Sequence, residues 1–200
     1  MRILFISDEE NKEYWDFFRK EIFEGIDIIV SCGDLNAEYL SFLATMTSLP
    51  ILYIRGNHDD KYEQREPEGC ICIEDDIFEC EGIRFLGLGG SYRYKKGKNQ
   101  YTEQEMKNRI RRLWFKLLKK RGFDVLVTHA PAYGVNDGED LSHRGFETFI
   151  ELIEKYRPKY FVHGHVHMNY GRQFPREYAI GTTKVINAYN HYVVEFEIDN

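Results

Sequence analysis

The chain has 200 residues, of which 42% are hydrophobic and 30% charged, a balance that excludes a disordered tail, a collagen and a small disulfide scaffold. Its 27 Lys and Arg against 33 Asp and Glu give a formal net charge of −6. Because such a molecule repels phosphate as a whole, nucleic acid is disfavoured as a partner, although a local basic loop still allows it. At this length we expect one domain over residues 1–200.

The compartment is indicated by the cysteines and by the apolar runs. Only four cysteines occur, and the first apolar run, from Ile3 to Ile6, is too short for a secretory signal. These features predict a reducing, cytoplasmic location. No apolar run approaches the length of about 18 residues that a membrane span requires, so we expect no membrane partner.

Five short apolar runs recur along the chain, and each is followed by small or polar residues. They are Ile3–Ile6, Ile28–Val30, Ile51–Ile54, Val125–Val127 and Tyr160–Val162. Continuous apolar runs are typical of strands buried on both faces, as in parallel sheets. The sequence therefore predicts an α/β protein.

Helical periodicity fills the gaps between these runs. Helices are predicted around Trp15–Ile22, around Leu40–Met46, from the capping box at Thr102 to about Gly122, and from Phe146 to just before Pro158. The sections 69–90 and 183–198 contain shorter β-like pieces. We expect these to form a second, more antiparallel sheet.

Potential metal ligands stand directly after each of the five apolar runs. In open α/β sheets, the loops that follow the carboxyl ends of the strands converge on one site. A lone Asp in such a place is usually a helix cap and a lone His a packed polar residue, but capping does not explain the whole set. Its members are Asp8 with Glu10, Asp34, Asn57, His129, and His165 with His167.

The last pair has a favourable spacing. Residues two apart on an extended segment project to the same side, with Cα atoms roughly 6 to 7 Å apart. His165 and His167 are therefore placed to serve two neighbouring metal ions. His163 lies on the opposite side, and we interpret it as a residue that supports the ligands or as a packing residue. Gly164 permits a close backbone approach or an unusual φ angle.

Together these residues resemble the calcineurin-like metallophosphoesterase superfamily. The resemblance runs through Asp8, Gly33-Asp34, Gly56-Asn57-His58-Asp59, Thr128-His129 and Gly164-His165-Val166-His167, and it is closest to the small phosphodiesterase-type branch. It implies a four-layer α/β/β/α sandwich, in which two mixed β-sheets pack together and helices flank them.

The resemblance also implies roles. Asp34 would bridge two divalent metal ions (Mn, Fe, Zn or Mg). One ion would take Asp8, residue 10 and His167, and the other Asn57, His129 and His165. Such a pair readies a bridging hydroxide to attack phosphorus in a phosphate ester. His58 would stabilise the phosphate or protonate the leaving group. Asp59 would tune His58, although a loop-capping role explains Asp59 equally well.

Residue 10 departs from the family pattern, which usually has histidine there. Glu10 either ligates the metal through oxygen, the interpretation we favour, or points to solvent. If it ligates, the metal centre is less positive by one charge and attracts a phosphate dianion less strongly. We therefore expect a preference for phosphodiesters of small or nucleotide-like substrates, or alternatively a trivalent iron at the first metal position.

Substrate contacts are predicted in two loops. Tyr92 and Arg93 belong to a stretch of interleaved aromatic and basic residues that suits base stacking and phosphate neutralisation, and an ordinary surface loop fits it equally well. Arg144 is a candidate phosphate clamp. The alternatives to a small-molecule phosphoesterase are a nuclease and a non-catalytic interaction scaffold with the same fold.

Overall fold

The computed structural model describes residues 1–168 and 175–197, which form thirteen strands, four α-helices and two short 3-10 helices. The strands are β1 (Arg2–Ser7), β2 (Ile28–Ser31), β3 (Ile51–Tyr53), β4 (Ile71–Cys72), β5 (Asp76–Cys80), β6 (Ile83–Leu88), β7 (Ser91–Tyr92), β8 (Gln100–Tyr101), β9 (Val125–Thr128), β10 (Tyr160–His163), β11 (Glu177–Ile180), β12 (Thr183–Asn187) and β13 (Asn190–Glu195). The helices are α1 (Ala37–Thr47), α2 (Glu103–Arg112), α3 (Trp114–Lys120) and α4 (Glu147–Tyr156), and the 3-10 helices are Lys20–Phe23 and Asp59–Glu63.

Two large mixed sheets pack face to face. The first has the order β13-β1-β2-β3-β4 and the second the order β11-β12-β10-β9-β6-β5, while β7 and β8 form a small separate ribbon. Strands β1, β2 and β3 run parallel, as do β6, β9 and β10. The predicted α/β class and the four-layer sandwich of two mixed sheets with flanking helices are confirmed.

Three apolar clusters hold the layers together. The central cluster lies between the sheets and takes Phe5 and Val30 from the first and Phe85 and Val127 from the second, all fully buried. A second cluster packs α1 on the outer face of the first sheet. A third packs α2, α3 and α4 on the outer face of the second sheet. Because both faces of each sheet are covered, the sequences of the central strands are continuous apolar runs.

The sections 69–90 and 183–198 do not form a separate antiparallel sheet, so that expectation is wrong. Strands β4 and β13 join the first sheet, whereas β5, β6 and β12 join the second. Strand β13 pairs antiparallel with β1, and β5 pairs antiparallel with β6. Alternation of side chains fixes which face of a strand is buried, but it does not select the neighbour with which the strand pairs.

Two helix predictions need correction. The stretch around Trp15–Ile22 forms turns and the 3-10 helix, and its aromatic side chains pack on α1, with the ring of Trp15 5.3 Å from that of Phe42. The helix predicted from Thr102 has its capping box, but it breaks at Leu113 into α2 and α3. There the N–H of Leu113 bonds to the carbonyl of Ile110, the tighter bonding of a 3-10 turn.

The sandwich brings the carboxyl ends of β1, β2, β3, β9 and β10 to one edge. A direct contact joins the two sheets there, because Asp34 after β2 lies against His129 after β9. No helix among the described residues is long and apolar enough to cross a membrane.

Candidate metal centre

Buried donors from both sheets meet at this edge. Asp34, His129 and His165 each offer a ligand atom, and these atoms lie within 4.8 Å of one another. The Oδ1 atom of Asn57 joins them, 2.9 Å from Nε2 of His129. His129 is fully buried, and Asn57 and His165 are nearly so. Carboxylate, amide and imidazole donors together suit Mn, Fe, Zn or Mg.

Hydrogen bonds set which ring nitrogens of the two histidines face inward. Nδ1 of His129 donates to the carbonyl of Cys32 at 2.9 Å, and Nε2 of His165 donates to the carbonyl of Ser142 at 2.6 Å. The remaining nitrogens, Nε2 of His129 and Nδ1 of His165, lie 3.1 Å apart. An outer hydrogen bond of this kind is what orients a metal-binding histidine.

Three acceptors surround the Nε2 atom of His129. They are Oδ2 of Asp34 at 3.3 Å, Oδ1 of Asn57 at 2.9 Å and Nδ1 of His165 at 3.1 Å. In the absence of metal only a proton on Nε2 reconciles these contacts. The lone pairs of these oxygen and nitrogen atoms point at one proton. When that proton leaves, the same atoms together with Nε2 of His129 can bind a metal cation, so the donor set fits a metal ion.

The charges of these groups follow from their surroundings. Burial alone would lower the pKa of His129, but the carboxylates of Asp34 and Asp8 raise it to about 10. Burial would likewise raise the pKa of Asp34, yet His129 holds it well below its usual range. Burial and the neighbouring His129 lower the pKa of His165 to about 3, which leaves this imidazole neutral and available as a ligand.

Asp8 and His167 lie beside this cluster. The carboxylate of Asp8 is fully buried and accepts the backbone N–H of His165 through both oxygens, at 3.1 and 2.9 Å. Nε2 of His167 lies 3.7 Å from Oδ1 of Asp8, and the ring of His167 packs on Tyr189 with a centroid distance of 5.0 Å. The pair forms a second, adjacent group of donors.

The backbone at this edge is unusual. Asp8, Asp34 and His165 all have left-handed backbone, with φ angles of +65°, +56° and +68°. For residues other than glycine, such conformations cost about 1 kcal/mol or more each and cluster at functional sites. Three of the predicted ligands therefore carry backbone strain.

Two glycines let the backbone close in around the carboxylates. A Cβ atom on Gly164 would lie 1.9 Å from Oγ of Ser7 and 2.6 Å from Oδ2 of Asp8. A Cβ atom on Gly56 would lie 2.1 Å from Oδ1 of Asp34. The close approach predicted at Gly164 is therefore present.

Glu10 lies apart from the buried cluster. Its side chain is exposed, and Oε1 accepts the N–H of Asn36, the N-cap residue of α1, at 3.2 Å. This exposed placement is close to the second alternative for residue 10, in which the side chain points to solvent, and the contact with the start of α1 is an addition to it. Ligation by Glu10 requires the side chain to leave Asn36, and it stays a prediction.

His58 and Asp59 follow Asn57 into the 3-10 helix. His58 is exposed at the edge of the site, and its backbone N–H donates to Oδ1 of Asp34 at 2.8 Å. Asp59 is buried, and its Oδ2 accepts the N–H groups of Asp34 and Gly56 at 2.8 and 2.7 Å. Burial, together with the nearby Asp34, raises the pKa of Asp59 to about 7. These contacts brace two ligand loops, as in the capping alternative; a catalytic role of Asp59 stays a prediction.

The donors open onto a cleft of about 460 Å³. Its described lining consists of Asp8, Asp34, Asn57, His58, Tyr94, Ser142, His143, His165 and His167. Three residues of this lining, Tyr94, Ser142 and His143, were not predicted as site residues. The hydroxyl of Tyr94 accepts a hydrogen bond from Nδ2 of Asn57 at 3.4 Å, and the ring of His143 lies 5.4 Å from that of His165. Tyr94 belongs to the stretch of interleaved aromatic and basic residues that was predicted to contact substrate, but the sequence does not show which residue of that stretch faces the cleft.

The three predicted substrate contacts lie outside that described lining, and each has other partners. The guanidinium of Arg144 stacks between the rings of Tyr92 and Tyr133, at 5.0 and 4.9 Å. Arg93 donates to the carbonyl of Gln100 and pairs with Glu105 of α2. Tyr92, Arg93 and Arg144 thus hold the loops around the cleft, and direct contact with substrate stays a prediction.

Comparisons with known proteins identify similar sequences and a similar fold. Two Caenorhabditis elegans proteins are similar in sequence. UPF0046 protein K07C11.7 is 24% identical over 190 residues, covering 81% of this chain and 62% of its own length. UPF0046 protein C25E10.12 is 26% identical over 171 residues, covering 70% and 58%. The chain therefore spans about three fifths of the length of these curated relatives.

A solved structure shares the fold. The crystal structure of TT1561 of Thermus thermophilus superposes with a TM-score of 0.64 at 17% identity, covering 94% of this chain and 89% of that protein. The family model for calcineurin-like phosphoesterases matches residues 1–169, which include all the predicted metal ligands. This chain belongs to the calcineurin-like phosphoesterase family.

Proposed function

We propose that the protein is a metal-dependent phosphoesterase that hydrolyses phosphodiesters of small or nucleotide-like alcohols by attack of water on phosphorus. The observation that carries this proposal is the convergence of Asp34, His129 and His165 from three loops and two sheets. Carboxylate and imidazole donors that converge in one buried place suit a metal cation, and the match to the calcineurin-like phosphoesterase family supports hydrolysis of a phosphate ester as the chemistry there.

The residues divide between two cation positions. Asn57, His129 and His165 would hold one ion and Asp8 and His167 the other, with Asp34 between them. Divalent ions bound there, Mn, Fe, Zn or Mg, would polarise the phosphate and lower the pKa of water. The hydrogen bonds from His129 to Cys32 and from His165 to Ser142 fix the rings in the binding orientation.

Other side chains prepare the substrate site. His58 stands at the open edge with its backbone fixed to Asp34, which suits its imidazole for donating a proton to the leaving oxygen. Tyr94 accepts a hydrogen bond from the amide nitrogen of Asn57 and thereby turns the amide oxygen towards His129. The remaining lining of the cleft orients the substrate and restricts water.

The composition of the cleft favours diesters. Its described lining includes the carboxylates of Asp8 and Asp34 but neither lysine nor arginine. A monoester dianion carries one more negative charge than a diester, and no fixed cationic side chain of that lining compensates it. The same preference for diesters is expected whether or not Glu10 ligates a metal.

The test uses two aryl esters that differ in charge. With added Mn²⁺, we expect turnover of bis(p-nitrophenyl) phosphate and weaker turnover of p-nitrophenyl phosphate. Asp34→Asn and His165→Ala should each lower activity by at least about a hundredfold, since changes to outer-sphere partners alone cost 10–100-fold. His191→Ala, whose ring is outside the described lining, is the matched control and should retain activity.

The outcomes separate the parts of the proposal. Absence of turnover with any metal, together with absence of bound metal, would favour the interaction scaffold instead. Faster turnover of the monoester would overturn only the diester preference, and efficient cleavage of single-stranded nucleic acid would favour the nuclease. The four free cysteines support a reducing, cytoplasmic location.

A further inference from the structure

Helix α3 exposes three large apolar side chains on its outer face. Trp114, Phe115 and Leu118 are 64%, 59% and 69% exposed, while Leu117 on the inner face is buried at 3%. The rings of Trp114 and Phe115 contact each other edge to face, with centroids 5.7 Å apart. Leu118 lies three and four positions after them, a spacing that places side chains on the same side of a helix, so the three side chains form one apolar patch.

Cations flank this apolar patch in the sequence. Arg111, Arg112, Lys119 and Arg121 are all exposed, and none of them forms an ion pair with any residue that the structure describes. By contrast, Lys116 on the same helix pairs with Asp76, and Lys120 pairs with Glu79. Four uncompensated positive charges thus stand together on a chain whose net charge is −6. The local charge points to an anionic partner.

The composition of the patch suits a lipid surface. Trp114, Phe115 and Leu118 lie exposed on one short helix, and exposed cations precede and follow them in the sequence. Exposed Trp, Phe and Leu flanked by Lys and Arg are typical of helices that lie in the bilayer interface, where the apolar side chains enter the headgroup region and the cations remain at the phosphates.

We propose that α3 docks on an anionic lipid surface, inserting Trp114, Phe115 and Leu118 between the headgroups. Arg111 and Arg112 together with Lys119 and Arg121 contact the lipid phosphates. This mode of binding leaves the chain on one side of the bilayer. The expectation of no membrane partner rested on the absence of a long apolar span, and surface docking needs none. The proposal is independent of the metal centre.

Vesicle sedimentation with the full chain tests it. We expect binding to phosphatidylcholine vesicles that contain phosphatidylserine, and little binding to pure phosphatidylcholine. Added salt should weaken the binding, because the Debye length falls from about 10 Å at 0.1 M to about 3 Å at 1 M. In a Trp15→Phe background, the emission of Trp114, the remaining tryptophan, should shift to shorter wavelength on binding.

Variants separate the apolar and the charged contributions. We expect two double variants to weaken vesicle binding at least about tenfold each. One is Phe115→Ser with Leu118→Ser, which removes apolar surface that enters the headgroup region. The other is Arg111→Gln with Arg112→Gln, since each cation near the surface contributes about 1 kcal/mol. Phe17→Ser is the matched control, because Phe17 is equally exposed at 69% but lies outside α3. Circular dichroism checks that every variant folds. If the Phe115 and Leu118 double variant does not fold, the Arg111 and Arg112 double variant, which changes only exposed charges, provides the test.

Three results would overturn the proposal. The first is absence of binding to either type of vesicle by the wild-type chain. The second is equal loss of binding in the Phe17 control. The third is a concentration-dependent dimer that the Phe115 and Leu118 changes abolish, which would assign the patch to a second copy of the chain. Hydrolysis of the aryl diester by all these variants should stay unchanged.

Discussion

The backbone N–H of His165 donates to both carboxylate oxygens of Asp8, two residues separated by 157 positions in the sequence. This contact ties the end of β10 in the second sheet to the end of β1 in the first. It requires His165 to adopt a left-handed backbone and requires the preceding residue to have no side chain. The two donor groups of the candidate metal centre are held together by this junction.

Gly164→Ala should therefore damage the centre directly. The new methyl group would meet Ser7 and Asp8 at distances that no Cβ atom adopts, and it would push the Asp8 carboxylate from His165. We expect at least a tenfold loss of Mn²⁺ affinity in a calorimetric titration and a free energy of unfolding lower by about 1–3 kcal/mol. Gly82→Ala is the control, because φ is +80° and nothing lies within 4 Å of the new methyl group there. It strains the backbone without a steric clash, and we expect it to keep the wild-type Mn²⁺ affinity. Wild-type affinity in the Gly164 variant would contradict the account.

Substitutions of Asp59 distinguish bracing from catalysis. Asp59→Asn keeps an oxygen that can accept the N–H groups of Asp34 and Gly56, whereas Asp59→Ala removes it and leaves two buried donors unpaired. If Asp59 braces the loops, the Asn variant should retain most metal affinity and turnover, and the Ala variant should lose both. An Asn variant that binds metal normally but turns over at least tenfold more slowly would instead support the predicted catalytic role.

Metal binding should release a proton from His129. In the metal-free protein Asp34 and Asp8 raise the pKa of His129 to about 10, so the imidazole is protonated at pH 7 and must lose a proton to become a ligand. Apparent affinity should rise up to tenfold per pH unit until about pH 10. Titration calorimetry in buffers of different ionisation enthalpy counts the proton, and an affinity independent of pH between 6 and 8 would contradict this prediction.

The same shift affects the stability of the metal-free protein. The pKa of His129 is higher in the folded state than its ordinary value of 6.5, so the folded state binds more protons between these two values. This contribution is fully present below pH 6.5 and is lost as the pH rises through about 10. Urea unfolding of chelator-treated protein should therefore show a falling free energy of unfolding over that window, and bound metal should remove the trend.

Glu10→Gln tests the departure from the family pattern. The amide oxygen can still accept the N–H of Asn36, as Oε1 of Glu10 does. If this contact holds the side chain at the start of α1 when metal binds, the amount of bound metal stays unchanged in elemental analysis. Loss of about one equivalent of metal would show that Glu10 leaves Asn36 and ligates. The charge of the metal centre would then be lower by one, as expected for a carboxylate ligand at residue 10.

Much of the site was predictable because buried parallel strands have a distinctive sequence pattern. The run before Asp8 and the run before His129 are apolar throughout, and parallel strands in packed sheets bring their carboxyl ends to a common edge. The close approach at position 164 also followed from the sequence, because a glycine directly before a pair of candidate ligands permits what a bulkier residue would block.

The rest depended on contacts that one sequence does not reveal. Tyr92, Arg93 and Tyr94 are consecutive, and only the pairing of β7 with β8 decides that Tyr94 faces Asn57 while Arg93 faces Glu105. The turns around Trp15 replace a predicted helix because packing of its ring on α1 outweighs a weak local preference. Long-range contacts of this kind leave no local signal.

Anomalous scattering from crystals grown with Mn²⁺ locates the metal and shows which side chains touch it. A strong peak is expected in contact with Asp34, His129 and His165, and a second one beside Asp8 and His167. Crystals in saturating Mn²⁺ that show no peak among Asp34, His129 and His165 would contradict the proposed metal centre.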